Sequence, residues 1–133
     1  MKRVVLIGDI HCYQLWVAPW KLLGKRVLGQ INLWKSRRKR FKSHRLDDVV
    51  QKAITLDPQM LLLSGDFSTT AIPSEFQEAV SKLKPLADHV QQVLAVPGNH
   101  DVYTFSSHRA QLARQFAGDW MPEKFPAMLP VTP

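Results

Sequence analysis

A single cysteine, Cys12, stands in a chain of 133 residues, so no disulfide forms within it, and this usage suits a reducing compartment. No stretch approaches the ~18 uncharged apolar residues of a membrane span. The start, MKRVVLIGDIHC, imitates a signal peptide with two basic residues before an apolar run. That run stops at Gly8-Asp9, short of the roughly 7–15 residues such a segment needs, and reads instead as a buried strand. No internal repeat is present. Hydrophobic residues are 45% and charged residues 22%, a globular balance that argues against disorder, at a length suited to one modest domain.

Acidic residues are also missing from one region. None occurs from His11 to Leu46, while ten of the 18 Lys and Arg lie between Lys21 and Arg45. The net charge of +7 is therefore local, a basic insert at about 13–45 on an otherwise balanced chain. Such a run is most often a solvated face; it also suits nucleic acid, anionic lipid or a phosphorylated substrate. Trp16, Trp20 and Trp34 lie in or beside it, with Leu22, Leu23, Val27, Leu28, Ile31 and Leu33. These residues make either an interfacial amphipathic patch or a cover for the core.

Three apolar runs, Val4 to Ile7, Met60 to Leu63 and Val93 to Val96, predict short buried strands. Helical spacing lies between and after them. Leu46, Val49, Val50, Ala53 and Ile54 form one stripe, with Ser43 as N-cap and Asp57-Pro58 as its end. Phe76, Ala79, Val80 and Leu83 form a second, opened by a Ser74/Gln77 capping box and broken or kinked at Pro85. Ala110, Ala113, Phe116 and Ala117 form a third, stopped by Gly118. The alternation predicts an α/β fold with a parallel sheet and right-handed crossovers. Prolines at 122, 126, 130 and 133 predict irregular chain beyond.

Ligands in open parallel sheets bind beyond the carboxyl ends of the strands. Three polar clusters follow the three strands directly: Gly8-Asp9-Ile10-His11, Gly65-Asp66-Phe67 and Gly98-Asn99-His100-Asp101. Each residue alone reads as a strand-end turn residue or a satisfied loop histidine. Their shared placement points instead to one site. Asp9 and His11 are two apart, so in an extended loop their side chains share a side. Two carboxylates, an imidazole and an amide oxygen suit Mn, Fe or Zn better than Ca. Cys12, a potential soft ligand, reads more simply as a small buried hydrophobe.

The blocks Asp9-Ile10-His11, Gly65-Asp66 and Gly98-Asn99-His100-Asp101 resemble the D-x-H, G-D and G-N-H-[DE] blocks of the calcineurin-like metallophosphoesterase family. From Asp66 to Asn99 is 33 residues, natural for one strand-helix-strand step; from Asp9 to Asp66 is 57, because the insert intervenes. The insert itself, GKRVLGQINLW followed by SRRKR, is similar to a segment of bacterial members. The resemblance implies two divalent metal ions (Mn, Fe or Zn). Asp9 and His11 would hold the first, Asp66 would bridge, and Asn99 would hold the second. A metal-bridging hydroxide would attack phosphorus in line. His100 would protonate the leaving oxygen, with Asp101 orienting its ring.

The family's later histidine ligands, including a G-H-x-H block, have no counterpart here; His44, His89 and His108 fall outside the pattern. The expectation is thus a single partial domain over 1–133, the parallel-sheet half of a four-layer αββα sandwich and incomplete. The implied activity is hydrolysis of phosphomono- or phosphodiesters, weak or absent in this chain alone. The alternative is a non-catalytic binding or scaffold module that uses the insert on nucleic acid or anionic membrane. Self-association through an uncovered sheet face, and a cytoplasmic location at times peripheral to a membrane, complete the expectations.

Overall fold

A computed structural model describes residues 3–13, 44–102 and 111–125. Strands β1 (Val4–Ile7), β2 (Met60–Leu63) and β3 (Gln92–Ala95) form one parallel sheet in the order β1-β2-β3. Helices α1 (His44–Thr55) and α2 (Pro73–His89) fall between strands, and α3 (Leu112–Ala117) follows β3, running into a 3-10 turn at Gly118–Trp120. The α/β class and the presence of all three strands match the sequence pattern, but β1, expected to be buried, is buried only at Ile7. Residues 14–43 of the basic insert, with its tryptophans and Ser43, lie outside the described residues, as do Ala110 and His108.

The register sets the two faces. Leu6 pairs with Leu62 and Leu62 with Leu94, while Ile7 pairs with Leu63 and Leu63 with Ala95. Paired residues of a parallel ladder point to the same side, so these are rows on opposite faces. The Ile7-Leu63-Ala95 row is buried with Leu46, Val50 and Ala53 of α1, Phe76, Ala79, Leu83 and Leu86 of α2, and Leu112, Ala113 and Ala117 of α3. Phe76 and Phe116 stack at 5.9 Å between α2 and α3. On the other face Leu6 stays 67% exposed and Val4 53%, although parallel sheets are ordinarily covered on both sides.

Helix α2 differs from expectation at two points. The N-cap of α2 is Ile72, which makes no side-chain cap bond, with Pro73 at the first helical position. Ser74 thus sits inside the first turn, and no Ser74/Gln77 box closes the end. The carboxylate of Glu75, at the third position, binds the preceding loop instead: it accepts the N–H groups of Thr69 and Thr70. Pro85 does not end α2, which runs on to His89. Leu83, Leu86 and Ala87 are buried on both sides of the proline, and that shared burial holds the helix through its missing N–H. Gly118 does end α3 as expected, as its C-cap, with a right-handed φ of −61° that leads into the 3-10 turn. Asp57 does end α1 as expected, with φ of 48° and its N–H on the Ile54 carbonyl.

Candidate metal centre

The chain leaves β1 and β2 side by side and stays paired past the strands. The His11 N–H donates to the Asp66 carbonyl at 2.7 Å, the Cys12 N–H to the Phe67 carbonyl at 3.0 Å, and the Thr69 N–H to the Cys12 carbonyl at 3.1 Å. Asp9, His11 and Asp66 all have positive φ, between 48° and 55°. The left-handed region costs an L-residue roughly 1–2 kcal/mol. Asp and His tolerate it better than most residues, and such strain clusters at functional sites. Asp9 and His11 are therefore not in the extended conformation that their spacing suggested. Both have left-handed backbone, and His11 Nε2 stands 4.0 Å from Asp9 Oδ1.

The β3 loop closes over the other two. Gly98 lies so near Asp66 that an added Cβ would stand 2.1 Å from Asp66 Oδ1 and 2.4 Å from its backbone nitrogen. Gly65, at φ of 84°, faces Gly98 in the same way. With the backbones this close, the His100 N–H reaches Asp66 Oδ1 at 2.9 Å. The other oxygen of Asp66, Oδ2, lies 3.8 Å from His11 Nε2. The rings of His11 and His100 meet edge to face at 4.9 Å.

One ligand atom from each of His11, Asp66 and His100 falls within 4.8 Å of the others. Metal–ligand bonds of about 2.0–2.2 Å place two ligands of one ion about 3–4 Å apart, the range of the His11–Asp66 and His11–Asp9 separations. The donor set, carboxylate with imidazole, suits borderline divalent ions. His100, expected only as a proton donor, thus stands in the ligand cluster as well. Asp9 stands beside it with its side chain 87% exposed. Asn99 is exposed in the turn after β3. His89 pairs with Asp57 at 3.5 Å, before β3 and β2 and so at the opposite edge of the sheet.

Asp101 does something other than expected. It is fully buried; Oδ1 accepts the Ser68 N–H at 3.0 Å and the Ser68 hydroxyl at 3.1 Å, and Oδ2 accepts the Gly98 N–H at 2.9 Å. Burial pushes its carboxyl above the usual range, opposed by the donors from Gly98, Ser68 and Phe67. Both oxygens are thus taken up in tying the β2 loop to the β3 loop. The ring of His100 is held by the Thr69 carbonyl, 3.1 Å from Nδ1. A carbonyl only accepts, so Nδ1 carries the hydrogen and Nε2 of the neutral ring carries the lone pair.

Cys12 is fully buried, and desolvation pushes its thiol up to about 12. It is a core residue, not a ligand of the cluster. Sequence reasoning passed over Thr69 and Glu75. Their signal was position: a Thr pair between Gly65-Asp66 and a Pro-initiated helix, with a carboxylate in the first turn where loop N–H groups need an acceptor.

The family model for the calcineurin-like phosphoesterases matches residues 2–129. A comparison with the curated proteins finds no match.

Proposed function

The chain belongs to the calcineurin-like phosphoesterase family, and on that premise we propose that it hydrolyses phosphomono- or phosphodiesters with two divalent ions. The observation that carries this reading is the convergence of His11, Asp66 and His100 at the carboxyl edge of the sheet. Asp9, His11 and Asp66 would hold the first ion, and Asp66 and Asn99 the second. Two ions so held supply a nucleophilic hydroxide at neutral pH and neutralise charge on the phosphoryl oxygens.

The protein's own part is positional and protic. Asp66 supplies the shared negative charge, fixed because Oδ1 is anchored on the His100 N–H. His100 keeps Nδ1–H on Thr69 through the cycle, so Nε2 is the atom that takes up a proton and delivers it to the leaving oxygen. The second ion receives one shared carboxylate and a neutral amide, a thin set that predicts weak occupancy and slow turnover by these residues alone.

Manganese titration followed by the signal of free Mn²⁺ tests the ligand set, and bis(p-nitrophenyl) phosphate tests the chemistry. One tight and one weak site are expected, with slow Mn²⁺-dependent release of p-nitrophenol that Asp66→Ala and His100→Ala abolish. A chain that binds no Mn²⁺, or turnover indifferent to both substitutions, overturns the proposal.

A further inference from the structure

Glu75 is 1% exposed, yet it is a carboxylate. A buried charge persists only where donors meet it, and here Thr69 and Thr70 supply them. Oε2 accepts the N–H groups of Thr69 at 3.1 Å and Thr70 at 2.8 Å, and Oε1 accepts the Thr70 hydroxyl at 2.9 Å. The first turn of α2 also favours negative charge. The segment thus fixed is the one whose carbonyl meets His100: the Thr69 N–H is shared between Glu75 Oε2 and the Cys12 carbonyl, each at 3.1 Å, its hydroxyl donates to the Cys12 carbonyl, and its C=O faces Nδ1 of the ring.

We propose that Glu75 is a positioning residue for His100: through Thr69 it selects the Nδ1–H tautomer and directs Nε2 into the ligand cluster. No contact between Glu75 and the ring is needed. Thr69 joins them, with one end on the buried carboxylate and the other on the imidazole. A purely structural Glu75 would stabilise the loop without any preference between tautomers. The catalytic consequence rests on the role given above to His100, but the tautomer itself does not.

The test is long-range ¹H–¹⁵N NMR of the histidine rings in the metal-free protein, with His100 assigned by its loss in His100→Gln. The wild-type ring is expected with protonated-type nitrogen at Nδ1 and pyridine-type at Nε2. In Glu75→Gln the amide group of the new side chain confronts N–H donors, and the ring is expected to pass mainly to the Nε2–H form that imidazole prefers in water. Thr70→Val removes only one donor and should shift the ratio in the same direction by less; it carries the test if Glu75→Gln does not fold. A wild-type ring in the Nε2–H form, or variants that keep the wild-type tautomer, overturns the proposal. Loss of Nδ1–H in Glu75→Gln, with no metal-dependent hydrolysis by the wild-type chain, supports the positioning role and overturns the catalytic reading instead.

Discussion

Asp66 divides its carboxylate between two histidines: Oδ1 accepts the His100 backbone N–H at 2.9 Å, and Oδ2 faces His11 Nε2 at 3.8 Å. The first contact is structural and the second belongs to the ligand cluster, so the two can be separated by mutation. Asp66→Asn keeps an acceptor for His100 but removes the charge. Its unfolding free energy should stay within about 1 kcal/mol of wild type, while Mn²⁺ affinity falls by at least about tenfold. Asp66→Ala also strands a part-buried N–H, which adds a cost of about 1–3 kcal/mol. Urea denaturation and Mn²⁺ titration of both variants check this; equal affinity in Asp66→Asn would remove Asp66 from the ligand set.

Two glycines should respond in opposite ways to the same change. Gly98→Ala drives a methyl into Asp66 Oδ1 and the Asp66 backbone at 2.1 and 2.4 Å, where neither loop can yield without breaking the His100–Asp66 bond. A loss of about 1–3 kcal/mol is expected, together with weakened Mn²⁺ binding. At Gly118 the added methyl meets only Arg114 Cγ at 3.7 Å, and φ is already right-handed. Gly118→Ala should therefore be neutral or stabilising by about 0.4–1 kcal/mol. Thermal unfolding of the pair settles both signs.

The strands and the order of elements were legible because apolar runs bounded by glycine survive any local detail. Val4–Ile7 and Met60–Leu63 are where the pattern puts them, and the third strand is displaced by one residue. The motif residues were legible as residue types after strands. Their partners were not, because a carboxylate one or two residues from a histidine can turn either way. Asp101 sits next to His100 in sequence, yet it serves Ser68 and Gly98, while Thr69, 31 residues away, takes the ring. The left-handed backbone at Asp9 and His11 was equally hidden, since Asp and His accept that conformation without the glycine that would signal it.

Asp101 should behave as a clamp between loops. Asp101→Ala leaves the buried Ser68 N–H and hydroxyl and the Gly98 N–H without their acceptor. At about 1–3 kcal/mol for each stranded buried group, a loss of at least about 2 kcal/mol is expected. Asp101→Asn retains one oxygen and should fall between wild type and Asp101→Ala. If both variants kept full stability and lost only turnover, the residue would act on His100 directly and the clamp would be wrong.

Cys12 offers a probe of the paired β1 and β2 loops. Its thiol is fully buried, and its N–H and C=O are both bonded to the β2 loop. Desolvation raises its ionisation from 9.0 to about 12, so at pH 8 the folded chain holds a thiolate fraction on the order of 10⁻⁴. Alkylation of the native chain at pH 8 should be far slower than that of the urea-unfolded chain, which ionises near its ordinary value. The linked effect on stability has a definite sign. Between about pH 9 and 12 the unfolded thiol loses its proton while the folded one keeps it, so stability is full below pH 9 and declines as pH rises through that window. Cys12→Ala removes the titrating group, and its urea midpoint should fall less steeply over the same range. Rapid alkylation of the native protein, or an identical alkaline decline in Cys12→Ala, would show that the two loops open at this point or that other groups govern the titration.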